Sequence, residues 1–157
     1  MKTAVSNRQK ACSIDTRGAR KLAILLLSRA LGSSRAHCGE LSLVFMDDAG
    51  IRPLKEKYFG IAEATDVIAF RYEPIPGHDA GWCGEIVVNA QRALEEGRTP
   101  QGASRELALY IAHGCDHLAG GTDESPAARR RMRRRELKWL READQAGLLE
   151  RLIRSAG

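Results

Sequence analysis

The chain has 157 residues, 43% hydrophobic and 29% charged, a balance expected of a folded globular domain and not of a disordered segment. That length buries roughly 70% of the unfolded surface around one core, no apolar run approaches the ~20 residues of a membrane span, and the N-terminus carries no apolar signal segment. A single domain over residues 1–157 is predicted, without a membrane partner and cytoplasmic, with its four scattered cysteines reduced; the net charge of +5 is uneven, with six arginines between Arg129 and Arg135.

From the N-terminus, the first clear helical stripe spans Thr16 to Leu31, where Ala19, Leu22, Ala23, Leu26, Leu27 and Ala30 recur on one face before Gly32 ends it. Glu40 to Met46 alternates and then runs apolar, the pattern of a strand closed by the acidic pair Asp47 and Asp48. A short helix follows Gly50 and stops at Gly60, and Ala64 to Phe70 reads as a strand. Two prolines and two glycines make Glu73 to Trp82 a loop. Gly84 to Asn89 is a further strand leading into the helical AQRALEEG. Ser104 is the predicted N-cap of a helix running to Leu118, with Gly120 and Gly121 as its stop. A last helix starts at Ser125 with Pro126 in its first turn, where a missing N–H costs nothing.

On the helix that ends at Leu118, Leu107, Ile111 and Leu118 share one side. At ~100° per residue, His113 and His117 lie more than ~90° from that stripe, with Glu106 beside them. Histidines four residues apart project from one face, and neutral imidazoles are good zinc ligands. The two glycines let the chain turn back, which brings Asp123 into reach as a carboxylate ligand. Two histidines, a carboxylate and an open position describe a catalytic zinc site and not a closed structural one. Gly114 stands where an HExxH metalloprotease has its glutamate base, which disfavours peptide hydrolysis. The bland alternative for this pair is two part-buried histidines with no ligand role.

The arginine run covers most of its helix's circumference, leaves Met132 as the apolar anchor, and begins six residues after Asp123. A phosphate backbone entering the metal cleft would meet Arg129, Arg130, Arg133 and Arg134, with affinity falling steeply in salt. The alternative is a solvated helix surface. Aromatic residues make up only 5% of the chain, so backbone contacts are expected to outweigh base stacking.

HGCDHLAGGTD, His113 to Asp123, resembles the HGxLHLxGxDH signature of the YbeY family of metal-dependent endoribonucleases, which act in rRNA maturation. SNRQ, ELSLVFMDDAGIRPLKEKYFG, ATDVIAF and CGEIVVNA match further blocks of that family in order, from Val5 to about Leu140. The resemblance implies an α+β fold, a small mixed β-sheet covered by helices. It also implies one Zn2+ per chain held by His113, His117 and Asp123, the two histidines acting in catalysis through the metal. Glu106 and Glu124 are the candidate bases. Thr65 and Asp66 are substrate-side candidates, because in the family that strand lines the groove leading to the metal. The implied activity is single-strand-specific endoribonuclease action in 16S rRNA 3′-end maturation and ribosome biogenesis or quality control, with rRNA and the small ribosomal subunit as partners.

The sequence departs from the family at Asp123, where histidine is usual, and at Thr122, where aspartate is usual. It departs again at Phe59, where many members carry an arginine thought to help cleave RNA. Lys55 and Lys57 are the nearby cations able to compensate. These departures keep open a non-catalytic zinc-containing rRNA-binding assembly factor, and more distantly a zinc hydrolase of peptide type.

Overall fold

The structure is a computed structural model that describes residues 1–32, 38–77 and 81–156; the predicted loop's residues 78–80 fall outside them. The elements run β1 (Lys2–Asn7), β2 (Cys12–Ile14), α1 (Thr16–Leu31), β3 (Cys38–Met46), α2 (Asp48–Phe59), β4 (Val67–Tyr72), β5 (Trp82–Asn89), α3 (Ala90–Gly97), α4 (Pro100–Leu118), α5 (Pro126–Gln145) and β6 (Ile153–Ala156). A four-stranded sheet has the order β1-β3-β5-β4, and β2 pairs with β6 in a separate two-stranded ribbon. β1, β3 and β5 are parallel and β4 joins β5 antiparallel, so the sheet is mixed and the fold α+β as predicted. Among the described residues no helix is long and apolar enough to cross a membrane.

Strand alternation sends side chains to opposite faces of the sheet. Leu41, Leu43 and Phe45 of β3, with Ile86 and Val88 of β5, point into the main core beneath the helices. Val44, Val87 and Ile68 point the other way, where Ile51 of α2 meets them in a small second cluster. Each large apolar side chain buried in this way contributes ~1.5–3 kcal/mol, so the face under the larger cluster dominates stability. α1 presents Ala19, Leu22, Ala23, Leu26 and Leu27 to that core, the stripe expected from the sequence. Asp15 caps it by accepting a hydrogen bond from the Gly18 amide at 3.0 Å.

α4 begins five residues earlier than its sequence implies: Pro100 opens it and Thr99, not Ser104, is the N-cap, accepting from the Gly102 amide at 3.0 Å. Ser104 is instead buried inside the helix, where its hydroxyl donates to the Pro100 carbonyl at 2.9 Å and accepts from the Ile153 amide at 2.9 Å. A serine that satisfies β6 from within a helix carries the same local signature as a cap. Pro126 and Ser125 start α5 as expected, with Ser125 accepting from the Ala128 amide at 3.1 Å. The predicted strand at Ala64–Phe70 is shifted to Val67–Tyr72, leaving Thr65 and Asp66 on its approach.

Candidate metal centre

α4 lies directly on β5 because residue 114 is glycine: a Cβ there would meet Ile86 Cγ2 at 2.7 Å. This close approach fixes the last turns of α4 and turns His113 and His117 off the buried side, where both are half-buried. Beyond α4, Gly120 takes φ 99°, a left-handed conformation that side chains resist. The chain reverses there and delivers Asp123 to the histidines. One ligand atom from each of His113, His117 and Asp123 lies within 4.8 Å of the others.

The two imidazoles face each other through Nε2, 3.1 Å apart, and Asp123 Oδ2 lies 3.7 Å from His117 Nε2. Their outer nitrogens are committed. His113 Nδ1 lies 2.9 Å from a Glu136 carboxylate oxygen, and His117 Nδ1 lies 3.2 Å from the Gly121 carbonyl. Carboxylate and carbonyl both accept, so each Nδ1 carries the proton and each Nε2 turns a lone pair inward. Two lone pairs converging at 3.1 Å repel unless a proton or a cation lies between them. Two zinc–nitrogen bonds of ~2.0–2.1 Å at a tetrahedral angle span about 3.3 Å. The donor set therefore fits a metal ion, and the carbonyl end of α4 adds negative potential that favours one.

The support behind the histidines was not visible in the sequence. Glu136 of α5 is 2% exposed and anchors His113; this hydrogen bond lifts the His113 pKa above its ordinary value, against burial. Burial, followed by the neighbouring His113, pushes His117 down. Beside Glu136, the buried Asp116 carboxylate accepts from Arg135 Nε and Nη2 at 3.0 and 2.9 Å. Burial raises its pKa to about 6, opposed by that guanidinium. Carboxylate–histidine contacts of this kind fix ring orientation and tautomer at metal sites. The available sequence signal was only that Glu136 closes the arginine run.

Two cavities open on the pair. One is lined by His113, Asp123, Asp66, Glu106, Arg92, Arg129 and Arg133, among others. Its carboxylates, Asp66, Glu96, Glu106, Asp123 and Glu136, outnumber its three arginines, so a cation is needed before a phosphate is drawn in. The other runs from His113, His117 and Asp123 past Thr65 and Asp66 to Lys55 and Phe59. Asp66 lines both and is held firmly: its carboxylate accepts from the Val67 amide at 2.8 Å. The buried Asn89 adds main-chain bonds, its amide donating to the Asp66 carbonyl at 2.8 Å and its Nδ2 to the Thr65 carbonyl at 3.0 Å.

The remaining expected site residues divide. Glu106 reaches the first cavity and bonds Tyr110, whose phenol is held protonated by burial and by that carboxylate. Glu124 is exposed and lines neither cavity, so its nearness in sequence does not carry over into space. Lys55 lines the second cavity, whereas Lys57 lies 5.2 Å over the Tyr58 ring, outside it. Arg129 and Arg133 face the first cavity; Arg134 belongs with Arg131, Lys138 and Arg141 to a basic patch on another side of α5, and Arg130 lines neither. A helix spreads consecutive residues around its axis, which splits the run. Arg129 has an added task, donating from Nη1 to the Asp123 carbonyl at 3.1 Å.

The family described as "Endoribonuclease YbeY" matches residues 4–144. An Endoribonuclease YbeY from Anaeromyxobacter sp. is 34% identical over 96% of this chain and 72% of its own length. One from Pelotomaculum thermopropionicum is 32% identical over 87% of this chain and 93% of its own. The solution structure of a Thermotoga maritima protein shares the fold, with a TM-score of 0.56 at 18% identity over 93% of this chain and 94% of that one.

Proposed function

The chain belongs to the YbeY endoribonuclease family, and on that premise we propose that it is a cytoplasmic, zinc-dependent, single-strand-specific endoribonuclease of 16S rRNA 3′-end maturation. The observation that carries the zinc reading is the pair of inward-facing Nε2 atoms at 3.1 Å beside Asp123. Arg92, Arg129 and Arg133 in the cleft support RNA as the substrate once a bound cation offsets the carboxylates there, and residues 1–157 would work as one catalytic unit on the small ribosomal subunit.

His113, His117 and Asp123 would hold the ion, which when bound supplies a Lewis acid toward the scissile phosphodiester. The chain's own residues do the rest. Glu136 and the Gly121 carbonyl keep both Nε2 atoms turned to the cleft. Arg129, Arg133 and Arg92 bind phosphate oxygens and neutralise the charge that grows in the transition state. Asp66, clamped by Asn89 and Val67, takes the proton from the attacking oxygen. Glu106 lies beside Tyr110 and serves as the second carboxylate of that wall.

The test follows a precursor 16S rRNA 3′ segment with wild type and His117→Ala, with and without a chelator. Cleavage by wild type alone, abolished by chelation, is the expected result. RNA binding by both proteins without cleavage by either would instead make the chain a non-catalytic assembly factor.

A further inference from the structure

The chain has eight aromatic residues, and half of them, Tyr58, Phe59, Phe70 and Tyr72, gather on the sheet face that α2 only partly covers. The other four, Phe45, Trp82, Tyr110 and Trp139, are buried in the main core. Phe70 sits half-buried at the centre of the group. The rings of Phe59 and Tyr72 flank it at 6.3 and 6.4 Å, each inclined 28° to it, and Tyr58 meets it edge-on at 4.9 Å. Phe59 is 50%, Tyr58 52% and Tyr72 52% exposed. About half of each of these side chains meets solvent while Phe70 packs against their inner sides.

Two further features say what these faces would take. Lys55 Nζ lies 4.6 Å over the Phe59 ring and Lys57 Nζ 5.2 Å over the Tyr58 ring, so a flexible cation covers one face of each ring and would swing to a phosphate as a base replaced it. Phe59 and Lys55 also line the same cavity as His113, His117 and Asp123, so the aromatic group continues the metal cleft. Half-exposed rings, interleaved with cations along a path to a phosphodiester-cleaving centre, have the composition of a single-strand stacking surface.

We infer that Phe59, Phe70 and Tyr72 form a stacking platform for unpaired RNA bases that positions the strand entering the metal centre. This inference rests on the endoribonuclease reading and adds a substrate-binding element to it. Phe59 then replaces a phosphate-contacting cation with a base-contacting ring, and Lys55 keeps the neighbouring phosphate contact.

The test is an equilibrium titration of the full chain with a single-stranded RNA carrying 2-aminopurine at successive positions, alongside a matched oligonucleotide abasic at those positions. A chelator is present so that no strand is cut. Stacking quenches 2-aminopurine and is worth roughly five- to a hundredfold in affinity per base. The expected result is quenching at one or two adjacent positions, weaker binding of the abasic strand, loss of quenching in Phe59→Ala and Tyr72→Ala, and its return in Phe59→Trp. Equal affinity for both strands, with cleavage of RNA intact in metal, would overturn the platform and leave the nuclease reading standing. A chain that neither binds nor cuts RNA overturns both. Self-association lost in Phe59→Ala, with RNA binding unchanged, assigns the face to a second copy and also overturns the platform.

Discussion

The two faces of the sheet are built to different standards. The face under α4 carries the larger core, and the candidate metal centre above it is backed by Glu136, Asp116 and Arg135. The face under α2 has four buried residues, Val44, Ile51, Ile68 and Val87, and beyond them Tyr58, Phe59 and Tyr72 are half-exposed. Chemistry needs ligands held to within fractions of an ångström, which requires a packed surround. A strand of RNA needs an open surface that it can cover.

The largest effect expected is on cleavage. His117→Ala or full chelation should lower the rate about a thousandfold or more, while the melting temperature of His117→Ala stays close to that of wild type; a large drop in melting temperature would mean that the histidine holds the fold. Next comes stability measured on matched core truncations. Ile86→Ala, beneath Gly114, is expected to cost about 4 kcal/mol and Ile51→Ala about 2–3 kcal/mol, opposite ends of the range for buried isoleucine. Equal values from denaturant melts would erase the contrast between the faces. Arg135→Ala strands the buried Asp116, but the Arg135 side chain is 39% exposed. The cost should therefore be about 2 kcal/mol, below that for a fully buried pair. The smallest effect is on affinity: Arg129→Glu with Arg133→Glu should weaken RNA binding roughly tenfold at low salt and flatten its salt dependence. Unchanged binding would return both arginines to a solvated surface.

Local pattern carried much of this architecture. The stripe from Ala19 to Leu27 gave α1 its observed bounds, and His113, His117 and Asp123 converge as their spacing suggested. The short strands β1, β2 and β6 escaped notice because their pairing partners lie far off in the chain: Val5 pairs with Leu43 and Ile14 with Ile153. Glu136 was not singled out, since nothing local marks a carboxylate whose burial is compensated by a histidine from another helix. The aromatic group was hidden by composition, which counts residues without locating them. Its one sequence trace is the alternation of Ile68, Phe70 and Tyr72, which places all three on one face of β4.

The turn after α4 also has a consequence in time. His113 and His117 sit on a helix buried against the sheet, so their amides open to solvent exchange only with events near global unfolding, whereas Thr122, Asp123 and Glu124 lie on an exposed segment that opens locally. Of the three candidate ligands, two would thus stay in place while the third comes and goes. An arriving ion would meet a preformed imidazole pair and be closed in afterwards by Asp123, and it would leave through the same door. The Arg129 bond to the Asp123 carbonyl is the one described tie between that segment and α5, so its loss should make the segment open more often.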